Sequence, residues 1–164
     1  PFAMSSPTRS VLGGGYHGSS PNGTNIMDFV TIASTGNAQD FGDLTQINNF
    51  AGGTSCSNST IGIAMGGREA TASTTLTEIQ KITIATKGNA AKFGDLTVAV
   101  RSGSAVSSKT RGVRVAGYAV PANSNSNSMD YFELATEGDA VDFGDFTRST
   151  SSMGTGTSND HGGL

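Results

Sequence analysis

The string DFGDLT at Asp40 to Thr45 returns as KFGDLT at Lys92 to Thr97 and as DFGDFT at Asp142 to Thr147. Phe41, Phe93 and Phe143 therefore recur 52 and then 50 residues apart. The similarity extends upstream: FVTIASTGNAQDFGDLT from Phe29, ITIATKGNAAKFGDLT from Ile82 and FELATEGDAVDFGDFT from Phe132 align almost without gaps. A second block appears as SSPTRSVLGGGY at Ser5 to Tyr16, SNSTIGIAMGG at Ser57 to Gly67 and SSKTRGVRVAGY at Ser107 to Tyr118. A period of this length marks supersecondary units that stack to share buried faces. The units run approximately over 5–56, 57–106 and 107–156 of a single 1–164 segment, and 157–164 reads as the start of a further block.

Each unit reads as strands. From Ile26 to Ala33 apolar residues occur on both faces of a period-2 pattern, as expected of a strand within a stack of sheets. Ile79 to Ala85 and Met129 to Ala135 are its counterparts. Each is followed by a Gly and then Asn or Asp, at Gly36-Asn37, Gly88-Asn89 and Gly138-Asp139, which is hairpin chemistry. Gly42, Gly94 and Gly144 follow the large aromatic that recurs once per unit and predict a bulge or a close backbone approach. Further strands are expected near Gln46 to Gly53, Ile61 to Gly66, Val98 to Val106 and Gly112 to Ala116, with loops at Ser19 to Asn25 and Pro121 to Ser128. This gives about four strands per unit and an all-β chain. The 23 glycines, about twice ordinary usage, suit short strands and tight turns.

A net charge of -3 without a dense cluster of basic residues argues against a nucleic-acid groove. Arg101, Lys109, Arg111 and Arg114 read as a solvated strand face. No run of 18 apolar residues predicts a membrane-spanning helix. Cys56 is the single cysteine, which excludes an internal disulfide and reads as a buried or half-buried small side chain.

Candidate chemistry is sparse. Asp43, Asp95 and Asp145 repeat with the unit but lack calcium-loop spacing, so they are expected to accept backbone N–H bonds in a tight turn. His17 and His161 have no Cys or His at ligand spacing, and neither a catalytic residue, a metal site nor a cofactor is expected. Gly13-Gly14-Gly15 lacks the ending of a phosphate loop. Asn22 to Thr24 and Asn58 to Thr60 are formal glycosylation acceptors. Tyr16 and Tyr118, at equivalent places after the glycines, are candidates for ligand contact.

The order of double glycine, strand aromatic, aromatic past a turn and then arginine resembles the kelch repeat. The double glycine is Gly14-Gly15 and Gly66-Gly67, reduced to Gly117 in the third copy; Phe41, Phe93 and Phe143 take the place of the kelch tryptophan. The fuller pattern resembles repeats of bacteriophage structural proteins and their tail-fibre regions. The kelch resemblance implies β-propeller blades, with Arg9 and Arg111 bonding between blades. The phage resemblance implies a non-enzymatic virion component, such as a tail-fibre, spike or decoration module, located in the virion or extracellularly. A carbohydrate or host-surface glycan binding module is the alternative, and a propeller enzyme a third. A propeller usually needs at least about four blades. Three units therefore imply a ring completed either by another chain, as a homo-oligomer or with a sibling propeller chain, or by sequence beyond these residues.

Overall fold

The computed structural model describes residues 1–16, 18, 22–48, 54–120, 122–151 and 156. These residues form three antiparallel sheets and no helix. The first sheet holds β1 (Phe2–Ser5), β2 (Arg9–Gly13), β3 (Thr24–Thr31) and β4 (Gln39–Asn48), in that order. The second holds β5 (Thr54–Ser57), β6 (Ile61–Met65), β7 (Glu78–Thr83) and β8 (Ala91–Asp95). After β9 (Ala99–Arg101), the third holds β10 (Ser104–Ser107), β11 (Arg111–Val120), β12 (Ser124–Glu133) and β13 (Val141–Thr150), with β9 pairing the far end of β11.

Strand β2 shares a sheet with both β3 and β4. Hydrogen bonding places Ile61–Met65 with the second core motif, because β6 pairs β5 and β7. The expected strand over 98–106 is two strands, broken at Ser102 with its φ of 58°. The serine- and asparagine-rich stretch expected to be a loop is strand from Ser124 onward. There β11 continues past a bulge at Ala116, and its Gly117, Tyr118 and Ala119 pair Ser126, Asn125 and Ser124. Composition alone misleads here because polar side chains suit a strand whose outward groups meet water.

Consecutive sheets pack face to face. Phe2, Met4, Val11, Met27, Phe29, Phe41 and Leu44 of the first meet Ala64, Ile82 and Ile84 of the second. The opposite face of the second sheet, with Cys56, Ile63, Met65, Ile79 and Phe93, meets Ala105, Ala119, Phe132 and Leu134 of the third. Alternation of side chains is what lets one sheet serve two cores. The first strands of the sheets lie side by side, joined by serine hydroxyls. Ser55 Oγ donates to the Ala3 carbonyl at 3.0 Å, Ser57 Oγ to that of Ser5 at 3.0 Å, and Ser107 Oγ to that of Ser57 at 2.8 Å.

All three sheets carry a bulge at the Phe-Gly motif. Met27 faces Gly42 while Asp28 faces Asp40, so Phe41 is the extra residue; Phe93 and Phe143 are skipped in the same way. The bulge turns the aromatic into the inter-sheet space and brings the following glycine against the next sheet.

Candidate functional site

The most strongly specified geometry in the molecule is the junction between successive sheets. Gly88 N–H donates to the Phe41 carbonyl at 2.8 Å, and Ala90 N–H to the Asp43 carbonyl at 2.8 Å. Between them Asp43 N–H donates to Asn89 Oδ1 at 3.0 Å. The second junction repeats the pattern atom for atom. Gly138 N–H meets the Phe93 carbonyl at 2.9 Å, Asp95 N–H meets Asp139 Oδ1 at 3.0 Å, and Ala140 N–H meets the Asp95 carbonyl at 2.8 Å. The Phe-Gly-Asp strand is thus a socket, and the Gly-Asn/Asp-Ala turn of the next sheet is its plug.

Gly94 shows why glycine is required in the socket. A Cβ there would lie 2.0 Å from the Gly138 carbonyl oxygen, and at Gly42 it would lie 2.4 Å from that of Gly88. Both expected uses of the glycine, bulge and close approach, operate at the same residue. Gly144 has the bulge, but nothing described lies within 4 Å of its Cβ position.

Polar side chains around each junction are also engaged. Arg9 Nη1 donates to the carbonyls of Ile84 and Ala85, at 2.9 and 3.0 Å, in the next sheet. Gln80, buried, accepts the Thr45 N–H at 2.9 Å. In the second junction its counterpart is Asp130, which accepts from the Thr97 hydroxyl at 2.5 Å and pairs with Arg114. Arg114 is fully buried, its guanidinium bonding Asp130 Oδ2 at 2.6 and 3.1 Å, the Ala116 carbonyl at 2.7 Å and Ser128. This corrects the reading of the arginine as part of a solvated face; the charge is held inside by its carboxylate and by carbonyls.

The repeated aspartates also act differently from the expectation. Asp95 lies in strand β8, not in a tight turn. Its carboxylate accepts from the Thr77 hydroxyl at 2.9 Å and pairs with Lys92 Nζ at 2.7 Å. Its backbone, with that of Asp43, does the joining, and the side chains that accept backbone N–H groups are Asn89 and Asp139. Arg111 pairs with Glu133 of its own sheet, at 2.8 Å, with its guanidinium over the Tyr131 ring. Tyr16 is exposed beyond β2, whereas Tyr118 is half-buried in β11 beneath the Arg101 guanidinium. The two tyrosines belong to the first and third sheets, with the second sheet between. His17 and His161 lie outside the described residues, as does the block expected to start over 157–164. Among the described residues no three His, Cys, Asp or Glu side chains converge as a metal set.

The outermost faces differ from the inner ones. Phe41 and Phe93 are 2% and 4% exposed, but Phe143 is 49% exposed beside Tyr131 and Val141. Ile84 and Leu134 are 0% and 1% exposed, but their counterpart Ile32 is 56% exposed. A cavity of about 400 Å³ lies on the open face of the first sheet, lined by Leu12, Ile26 and Asp28 among others.

No family model matches the chain, and no curated protein matches it. Among solved structures, the fold is similar to that of one titled "Structure of YjhT", with a TM-score of 0.73 at 11% sequence identity. The likeness covers 96% of this chain and 56% of that one, so the chain spans just over half the length of that protein. At this identity the likeness concerns fold alone.

Proposed function

We propose that the three sheets are kelch-like propeller blades of an incomplete ring and that the chain is a non-enzymatic structural module of a virion, a tail-fibre, spike or decoration component. The observation carrying the structural reading is the repeated junction. The polar groups that recur with the repeat, from the serine hydroxyls of β5 and β10 to Gln80, Asn89, Asp130 and Asp139, bond one sheet to the next. Such a stack is a stiff spacer that presents its polar turns outward, in keeping with the resemblance of the repeats to phage structural proteins. Peptide mass spectrometry of purified virions tests the setting: peptides of this chain are expected at a stoichiometry comparable to other particle proteins, and their absence overturns the virion assignment.

A second reading, glycan contact, draws on the exposed ring of Tyr16 beside a glycine-rich segment. Aromatic faces with nearby polar groups suit sugar stacking. A glycan array is its test: signal that disappears in Tyr16→Ala supports it, and background binding throughout overturns it.

A further inference from the structure

We infer that the open face of the third sheet is a socket for the first sheet of a second copy of this chain, with the Gly36-Asn37-Ala38 turn as the plug. The inference rests on the blade reading and not on the virion setting. Its basis is that the Phe-Gly-Asp strand, the Gly-Asn/Asp-Ala turn and the apolar side chains around them at the two internal junctions have half-buried or exposed counterparts on the two outer faces.

On the receiving side, β13 carries Phe143, Gly144 and Asp145 with the same bulge as the two occupied sockets. Among the described residues nothing takes the place opposite the Phe143 and Asp145 carbonyls or the Asp145 N–H. The slot over Gly144, which a turn carbonyl fills at Gly42 and Gly94, has nothing described within 4 Å. Around it Met129, Tyr131, Val141 and Phe143 are half-buried or exposed, where Met27 and Ile79, the counterparts of Met129, are fully buried. On the inserting side, Gly36, Asn37 and Ala38 are exposed at the positions of Gly88-Asn89-Ala90 and Gly138-Asp139-Ala140. Beside them Ile32 and Leu12 are exposed apolar groups on the face that in the second and third sheets is buried.

The polar pairs match as well. Asp28 stands where Gln80 and Asp130 stand, ready to accept from Thr147 as they accept from Thr45 and Thr97. Arg111 stands where Arg9 stands, facing the place where the carbonyls of Ile32 and Ala33 would lie. A second copy therefore supplies groups for the backbone, apolar and charged positions together. Because the two faces differ, the contact is heterologous: two copies offer two such junctions and six sheets, closing a ring if the rotation allows.

The test is native mass spectrometry with sedimentation at tens of micromolar, on the full chain and on Ile32→Asp and Phe143→Asp, each checked for native fold by circular dichroism. The full chain is expected to associate, and each variant to raise the association midpoint by about tenfold or more. Mixing the two variants is the decisive arm. One keeps an intact socket and the other an intact plug, so the mixture is expected to form a heterodimer held by one junction. Asn37→Ala, which removes one acceptor and leaves the apolar surface alone, is expected to weaken association by a smaller factor and serves if a charged variant misfolds. A full chain that stays at 16.6 kDa overturns the proposal, as does wild-type association in both charged variants or a mixture that remains monomeric.

Discussion

The backbone N–H of Asp95 in the second sheet donates to the side-chain Oδ1 of Asp139 in the third at 3.0 Å, and Asp43 makes the same bond to Asn89 one sheet earlier. The strand contributes main chain and the turn contributes a side chain, so either Asn or Asp suffices in the turn. The bond lies between two main-chain bonds that fix the turn to the strand, which sets sheet spacing at a single point.

Asp139→Ala should therefore destabilise the chain by about 1 kcal/mol, the usual net value of a hydrogen bond near solvent. Asn37→Ala, at the position with no described sheet beyond it, should leave the unfolding midpoint of the dilute chain unchanged. Urea unfolding of both variants checks this; equal effects would show that the turn residue acts within its own hairpin.

Gly94→Ala should cost more, about 1–3 kcal/mol, because the added methyl meets backbone and not a movable side chain. The sheets must part or the β8 bulge must shift. A variant within experimental error of the wild type in denaturant midpoint would show that the junction gives way without cost.

Much of this was legible in the sequence because the bulge demands a fixed residue pair. Phe-Gly at 41, 93 and 143 marks an aromatic turned inward beside a glycine approached by backbone, and that constraint is local enough to recur in plain letters. The role of Asn89 and Asp139 was hidden, since Asn or Asp after Gly is ordinary turn chemistry whether or not a strand lies opposite. Arg114 was hidden for another reason: Ala64 and Leu12 occupy its place in the other two sheets, so no repeat signal points to an ion pair. Nor do the letters distinguish Phe143 from Phe41, because exposure there depends on a neighbouring sheet.

The buried ion pair offers a swap supplied by the repeat itself. Arg114 faces Asp130 across β11 and β12 in the register in which Ala64 faces Gln80 across β6 and β7. Arg114→Ala alone should cost about 3–5 kcal/mol, since it leaves Asp130 buried without its cation. Arg114→Ala with Asp130→Gln should recover a large part of that loss, because a neutral acceptor for Thr97 replaces the stranded charge. Denaturation curves for the single and double variants give the coupling; a double variant no more stable than Arg114→Ala would show that the lost packing of the long arginine side chain dominates.

Cys56 sits in the core between the second and third sheets, and burial pushes its thiol up to about 12, with the Ser107 hydrogen bond opposing that shift in part. Thiolate is the reactive form, so at about pH 8 the folded chain should be inert to a disulfide reagent over a time in which the unfolded chain reacts fully. The reaction rate in rising urea then reports opening between those sheets. Rapid modification of the native chain would place the thiol at the surface.

Stability at low pH should depend on Asp95. The hydrogen bond from Lys92 Nζ chiefly holds its carboxyl below the ordinary value of 3.8; burial opposes this, and the Thr77 hydroxyl adds to the lowering. Because the folded value is depressed, the stabilisation is fully present above 3.8 and is lost as pH falls through the folded value. Lys92 is shifted the other way, raised above 10.5 by its hydrogen bond to Asp95, so its contribution is lost only as strongly alkaline pH passes the folded value. Asp95→Asn removes the titration but keeps the backbone N–H that meets Asp139, so the sheet junction survives. Its urea midpoint should lie furthest below that of the wild type near neutrality and should fall less steeply than that of the wild type between pH 3.8 and the acid transition, so that the two converge. Parallel acid limbs for the two proteins would show that the Lys92 contact is too solvated to matter.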